Sequence, residues 1–200
     1  MNKMLKLPLF LGACGLACAG ILAGVNAATK DTIATYKEDK IKNSYVKIFT
    51  KNGYSVTKDD LTPVSVLDLT DEVYDAGCRG SAIVESVNGI AYTCTVKGYA
   101  GDVEFQVAFA EGKYLGYTNI SHNETSGYGA DLIAGMTKLL INLGINEPLF
   151  GTEYASYING ASKTGKPVGE AIEACRKDYL AWFEKKTQEN QEDAGGETNE

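Results

Sequence analysis

Residues 82–120 read AIVESVNGIAYTCTVKGYAGDVEFQVAFAEGKYLGYTNI. Four runs in this stretch are rich in β-branched and aromatic residues and are bounded by turn residues: 82–87, 90–97, 103–110 and 114–120. Asn88-Gly89 and Glu111-Gly112-Lys113 are short reversal signals, so neighbouring strands should be antiparallel. The stretch therefore predicts a β-meander.

Two helices are predicted after the meander. Residues 131–143 (DLIAGMTKLLINL) carry apolar side chains at helical spacing on one face. A second helix should begin near Pro167, which is tolerated in a first turn, and continue to Phe183 across the sheet. Strands followed by helices predict an α+β domain, an antiparallel sheet with helices packed on it.

The N-terminus carries an uncharged apolar run, residues 7–29 (LPLFLGACGLACAGILAGVNAAT). As a helix at ~1.5 Å per residue it would span the ~30 Å hydrocarbon core of a bilayer. Lys3 and Lys6 precede it, so the positive-inside bias places the N-terminus in the cytoplasm and the following domain outside. We predict one transmembrane helix. A cleaved signal ending at Val25-Asn26-Ala27 and a lipoprotein signal at Leu11-Gly12-Ala13-Cys14 are the alternatives, and both also place the domain outside.

The chain is thus divided into four parts. They are a transmembrane anchor (1–29), a connector and start of the extracytoplasmic domain (30–79), a domain core (80–186) and an acidic tail (187–200). Residues 45–67 contain turn residues and are predicted to be irregular with short extended pieces. The tail has no basic and no bulky apolar residue, so burial cannot offset its ordering entropy and we expect disorder.

Charge and cysteine spacing exclude some functions. A net charge of -7 and a pI near 4.9 argue against a nucleic-acid-binding surface, which needs clustered Lys and Arg. The five cysteines show no CxxC or Cys/His spacing, so no metal site is predicted. Cys78 and Cys94 can form a disulfide only if the fold brings their Cα atoms close enough.

The loop between the predicted meander and helix, residues 121–129 (SHNETSGYG), is the first candidate site. It combines hydroxyls, a carboxylate and two glycines, which permit close backbone approach, and a helix N-terminus that favours anions follows it. An ordinary polar loop with a helix cap is the simpler interpretation. His122, the only histidine, has no second histidine and no Ser/His/Asp pattern around it, so a hydrogen-bonding role is expected rather than a base or a metal ligand.

The second candidate is residues 156–168 (SYINGASKTGKPV). Backbone N–H groups at a helix start, the hydroxyls of Ser162 and Thr164, and Lys163 or Lys166 would suit a phosphate. Residues 160–166 have Walker A spacing, but Pro167 stands where Ser or Thr would hold Mg²⁺, which argues against nucleotide hydrolysis. A plain turn opening a helix is the alternative.

Taken in order, four segments resemble one known family. They are the apolar leader, residues 92–101 (YTCTVKGYAG), residues 121–129 and Asn159-Gly160-Ala161-Ser162. Together they are similar to the FMN-binding domain of the G subunit of Rnf-type electron transport complexes and of the C subunit of sodium-translocating NADH:quinone reductases. The resemblance spans residues 1–183 and is strongest over 92–172, whereas residues 37–75 add little.

The resemblance implies a membrane-anchored domain whose FMN is esterified through its phosphate by a flavin transferase. The family's Asp-x-x-Ser/Thr-Gly-Ala-Thr motif places the acceptor hydroxyl at Ser162, with Ser156 and Asn159 at the Asp and Ser/Thr positions. The loop around residue 124 would lie near the flavin, with Ser126 in place of the more usual proline. The candidate cofactor-binding residues are Glu124, Thr125, Gly127, Tyr128, Gly129, Gly160, Ala161, Ser162, Lys163 and Thr164.

The implied function is electron carriage by FMN in an ion-translocating membrane oxidoreductase complex, with other membrane subunits as partners and no catalytic side chain. Noncovalent FMN binding is the alternative to the ester. A free-standing, membrane-tethered flavoprotein that passes electrons to an extracellular acceptor is a second possible function. A non-redox surface module that has lost flavin attachment is the third.

Overall fold

The computed structural model describes residues 3–65 and 68–196, and the chain divides after Ile41 into two units. Helix α1 covers Lys3–Lys51 and belongs to both units. Its apolar side chains from Phe10 to Val25 are exposed. By length and composition this helix can cross a membrane, and a signal sequence near an N-terminus would meet the same criteria.

The last turns of α1 differ from the prediction. Irregular structure was expected from residue 45, but the helix continues to Lys51. Tyr45, Ile48 and Phe49 have i, i+3, i+4 spacing and are buried in the second unit, and this packing explains the extension. The second unit begins at Lys42, within residues 30–79, the segment that was predicted to hold the connector and the start of the domain.

A five-stranded antiparallel sheet in chain order forms the centre of the second unit. Its strands are β1 (Thr62–Val64), β2 (Cys78–Val84), β3 (Gly89–Lys97), β4 (Asp102–Ala110) and β5 (Lys113–Ser121). The predicted meander is confirmed, and β1 is a short extended piece of the kind predicted within residues 45–67.

The turns of the meander also differ in detail from the prediction. Residues Glu85–Val87, expected in a strand, form a 3₁₀ turn that ends at Asn88 with a φ of 45°. The two-residue hairpin turn is instead Glu111-Gly112, whose φ angles of 49° and 69° are both positive, as a type I′ turn requires.

Within the described residues 68–196, four further α-helices follow α1: α2 (Asp71–Asp75), α3 (Gly129–Leu140), α4 (Tyr154–Tyr157) and α5 (Ser162–Gly196). A 3₁₀ helix at Leu149–Gly151 precedes α4. The predicted helix over 131–143 corresponds to α3. Helix α5 starts earlier than predicted, because the amides of Thr164 and Gly165 already donate to the Ala161 carbonyl and form a first turn before Pro167.

The acidic tail, expected to be disordered from residue 187, is helical as far as Gly196. Helix propagation adds one hydrogen bond per residue once a packed segment has nucleated it, and Gln, Glu and Ala are good helix formers. The last four residues of that prediction, 197–200, lie outside the described residues.

The two faces of the sheet are covered by different helices. One face packs against α3 and α5 through a core that includes Tyr92, Phe105 and Phe109. On the other face, the hydroxyls of Tyr45 and Thr93 are hydrogen bonded at 2.6 Å. The α+β class is therefore confirmed, with helices on both faces rather than on one. This arrangement brings the N-terminal ends of α3 and α5 together at one end of the sheet.

Candidate functional site

The two candidate loops lie side by side around one cavity of about 430 Å³. All the predicted cofactor-binding residues line it except Gly127, and Tyr99 joins them. Gly127 lines a neighbouring cavity of about 370 Å³, which shares Tyr128, Gly160 and Ala161 with the first. Segments more than 30 residues apart in sequence thus form one concave surface, within the size range of small-molecule sites.

Glu124 joins the two loops to the hairpin between β3 and β4. Its Oε2 accepts a hydrogen bond from the Thr164 hydroxyl at 2.8 Å, and its Oε1 accepts one from the Ala100 amide at 3.0 Å. The Thr164 hydroxyl in turn accepts a hydrogen bond from the Tyr99 amide at 3.2 Å. Thr164 is only 1% exposed, so these bonds fix the inner wall of the cavity.

Close backbone approach explains the glycine at the start of α3. A Cβ added at Gly129 would collide with the Glu124 carboxylate, and one added at Gly98 would collide with the other carboxylate oxygen. A side chain at either glycine would therefore displace the Glu124 carboxylate from the position in which it accepts the hydrogen bonds from Thr164 and Ala100.

The first turn of α5 presents hydrogen-bond donors to the cavity. The amides of Thr164 and Gly165 donate to the Ala161 carbonyl. Those of Ser162 and Lys163 precede them in the first turn, where an α-helix offers no acceptor of its own. The Ser162 side chain is exposed. A helix N-terminus with a hydroxyl and a lysine suits an anionic group such as a phosphate.

Gly160 sets the direction in which the chain enters α5. Its φ is 91°, in the region that disfavours residues with a Cβ, while an added Cβ would meet no atom within 4 Å. The requirement for glycine is therefore conformational rather than steric.

Two tyrosines give the cavity its aromatic surface. Tyr99 is 69% exposed and Tyr128 is 65% exposed, although both line the cavity. The Lys163 ammonium lies 5.2 Å from the centre of the Tyr99 ring, within cation–π range. Exposed aromatic faces beside a cation suit a flat, electron-poor ring system as well as a phosphate.

Sequence reasoning missed Tyr99 as a site residue. It lies in the hairpin after β3, inside the segment 92–101 on which the family resemblance partly rests. With 12 tyrosines in the chain, composition did not single it out. The usable signal was the turn sequence Lys97-Gly98-Tyr99-Ala100-Gly101, which places an aromatic side chain at a loop tip.

The two remaining positions of the family motif, Ser156 and Asn159, are not among the residues that line the main cavity. Ser156 is exposed in α4, while Asn159 lines the neighbouring cavity together with Asp131 and Tyr157. Burial and the nearby Asp131 carboxylate raise the pKa of Tyr157. Its hydroxyl donates to the Leu132 carbonyl at 2.8 Å and thereby holds α4 against α3.

His122 has the hydrogen-bonding role that was predicted for it. Its Nδ1 accepts a hydrogen bond from the Glu124 amide at 3.1 Å. This contact shapes the loop that carries Glu124, and the imidazole is not among the residues that line the two cavities.

The disulfide considered for Cys78 and Cys94 is not formed. The two residues are paired in the register of β2 and β3, yet both are free thiols. Cys94 Sγ instead lies 3.7 Å from Cys175 Sγ in α5. The cysteines come together in the core, away from the cavity-lining residues.

Comparisons with known proteins assign no family. No protein-family model matches the chain, and no curated protein is significantly similar to it. The FMN-domain resemblance therefore stays a prediction, and functional inference rests on the cavity and its lining.

Proposed function

We propose that this chain is the FMN-carrying electron-transfer subunit of a membrane ion-translocating oxidoreductase complex of the Rnf type. The observation that carries the proposal is the convergence of the two loops, predicted separately, on one cavity that combines a helix N-terminus with exposed aromatic rings. That combination meets the two requirements of FMN, a phosphate and a planar ring system.

The residues present fit this cofactor. The phosphate would be held by the Ser162 and Lys163 amides and by the Lys163 ammonium, because these donors open α5 beside the cavity. The isoalloxazine ring would contact Tyr99 and Tyr128. Both oxygens of the Glu124 carboxylate already accept hydrogen bonds, from Thr164 and from Ala100. Glu124 would therefore repel a bound phosphate less strongly than a carboxylate without hydrogen bonds would.

Ser162 is the proposed attachment point. Its exposed hydroxyl begins α5, where a flavin transferase can reach it. The ester joins the Ser162 oxygen to phosphorus, and relative to free FMN and free serine one water is lost. FMN bound by the donors and the tyrosines without the ester is the noncovalent form of the same proposal.

In this function the chain's own residues bind, orient and shield the cofactor. FMN, when bound, supplies the ability to accept and donate electrons one at a time. The Glu124–Thr164 hydrogen bond keeps α5 and the 121–129 loop in place around it. No side chain is assigned a chemical step.

The membrane part of the proposal rests on α1. The apolar segment would anchor the domain, and Lys3 and Lys6 at its start would keep the N-terminus in the cytoplasm and place the domain outside. Other membrane subunits would then supply and receive the electrons.

Flavin retention by the purified full chain tests the proposal. After co-expression with a flavin transferase, the wild-type protein should be yellow. Ser162→Ala should lose the covalent flavin, whereas Ser126→Ala, which removes an exposed hydroxyl from the neighbouring loop, should keep it. If wild-type protein neither carries flavin nor binds added FMN, the proposal fails and the non-redox module is favoured.

The aromatic wall has a separate test in noncovalent binding to the Ser162→Ala protein. Tyr99→Ala and Tyr128→Ala should each weaken FMN binding roughly 2–10-fold, the equivalent of one aromatic contact. Tyr36→Ala is the matched control, because Tyr36 is 71% exposed in α1 and lines neither cavity. Equal weakening by all three substitutions would refute the assignment of the ring site.

A further inference from the structure

Three cysteines from separate elements meet in the core of the second unit. Cys78 begins β2, Cys94 lies opposite it in β3, and Cys175 lies in α5. All three are 0% exposed. Their Sγ atoms lie within 4.8 Å of one another, and those of Cys94 and Cys175 are 3.7 Å apart.

These distances are close to those of a metal–thiolate site. Because the three sulfur atoms lie within 4.8 Å of one another, a metal ion placed between them could be at most about 2.8 Å from each. A zinc–sulfur bond is ~2.3 Å long. Sulfur ligands at that bond length in tetrahedral geometry are about 3.8 Å apart. The Cys94–Cys175 pair already has this separation, so shortening the two Cys78 sulfur–sulfur distances by at most about 1 Å completes the geometry.

We propose that Cys78, Cys94 and Cys175 bind one closed-shell, thiolate-seeking metal ion, Cu(I) or Zn(II), that joins β2, β3 and α5. Thiolate sulfur selects these ions over hard cations such as Mg²⁺ and Ca²⁺. On binding, three S–H bonds break, three metal–sulfur bonds form and three protons pass to solvent. No electron is transferred.

The surroundings of the cluster can offset part of its charge. The Arg79 guanidinium donates to the Cys78 and Tyr74 carbonyl oxygens at 2.8 Å each, which holds a positive charge beside the site. Hydrogen bonds with the Cys175 and Cys94 thiols lower the pKa of Cys78, whereas burial raises the pKa of Cys175. Because metal binding releases the thiol protons, the affinity for the metal should rise with pH.

Metal content of the full chain tests this site. The protein is purified anaerobically in detergent with Cys14 and Cys18 replaced by alanine, because these exposed thiols one helical turn apart would otherwise compete. Separate samples receive Zn(II) or Cu(I), are passed through a desalting column and are analysed for bound metal. X-ray absorption of the loaded protein then reports the ligand atoms.

We expect one equivalent of Zn(II) or of Cu(I) per chain, sulfur-only protein ligands at about 2.3 Å, and a higher melting temperature with metal than without. Cys94→Ala and Cys175→Ala should reduce bound metal to background. If neither ion is retained, or the ligands are nitrogen and oxygen, the proposal is overturned. A disulfide among these cysteines in the anaerobically purified protein overturns it as well. The X-ray absorption spectrum is recorded on protein that keeps all three core cysteines. It therefore tests the proposed sulfur ligands even if a core-cysteine variant fails to fold.

Discussion

Thr164 provides a quantitative test of how the cavity wall is held together. Its side chain is 1% exposed, donates to the Glu124 carboxylate at 2.8 Å and accepts from the Tyr99 amide at 3.2 Å. A hydrogen bond to a charged group contributes about 1.5–3 kcal/mol, and a neutral one about 0.5–1.5 kcal/mol. Thr164→Val keeps the shape and removes both bonds, so the free energy of unfolding should fall by about 2–4 kcal/mol.

Urea denaturation of the detergent-solubilised full chain, followed by the fluorescence of Trp182, measures this loss. Thr164→Ser keeps the hydroxyl and should cost only about 1 kcal/mol for the missing methyl group. Thr187→Val is the matched control in the same helix, because the Thr187 hydroxyl bonds only to the Phe183 carbonyl at the surface, and it should change stability by less than about 0.5 kcal/mol. If the valine variant at position 164 is as stable as wild type, or if serine costs as much as valine, the Glu124–Thr164–Tyr99 network does not hold the wall.

Three further predictions concern the backbone, an ion pair and topology. Gly160→Ala should lower the free energy of unfolding of the domain by about 1–2 kcal/mol and reduce its flavin content, because φ is 91° at this position. Gly144→Ala is the control and should change neither property, because Gly144 has open space around it and no strained φ. Equal losses of stability and flavin in the two variants would contradict this explanation. Burial acts to raise the pKa of Glu173, but hydrogen bonds from Arg176 and the Leu149 amide outweigh it and lower the pKa. Near neutral pH, Glu173→Gln should therefore lower the free energy of unfolding by about 2–3 kcal/mol. As the pH falls below ~4 and the wild-type carboxylate is protonated, the stability difference between wild type and variant, measured by urea denaturation, should narrow. A difference in the free energy of unfolding that stays constant as the pH is lowered well below ~4 would refute the assignment. Expressed in bacteria, a C-terminal alkaline phosphatase fusion should be enzymatically active and a C-terminal green fluorescent protein fusion should not fluoresce, because the domain is expected outside the cytoplasm. An inactive phosphatase fusion together with a fluorescent protein fusion would place the domain in the cytoplasm.

The meander and the cavity-lining loops were predictable because local signals determine them. Strand residues bounded by turns fixed β3, β4 and β5 to within a residue or two. The pairing of the 121–129 loop with Gly160-Ala161-Ser162 followed only from the family resemblance, since no local rule links segments so far apart.

The parts that were missed depend on tertiary contacts. The final turns of α1 are stabilised by packing of Tyr45 and Phe49 on the sheet, which composition alone does not reveal. Cysteine spacing did not indicate a cluster, because Cys78, Cys94 and Cys175 meet only when α5 packs on β2 and β3. Tyr99 was missed because its place in the cavity lining depends on the packing of the β3–β4 turn against the start of α5, where its amide donates to the Thr164 hydroxyl.

Intact-mass measurement of the full chain after co-expression with a flavin transferase, followed by peptide mapping of the modified protein, decides whether FMN is attached at Ser162. We expect a mass increase of one FMN less water, a band that fluoresces after denaturation, and a modified peptide that contains Ser162. An unmodified chain that also fails to bind free FMN, or a flavin attached outside the 156–168 segment, would contradict the assignment of this cavity as the FMN site.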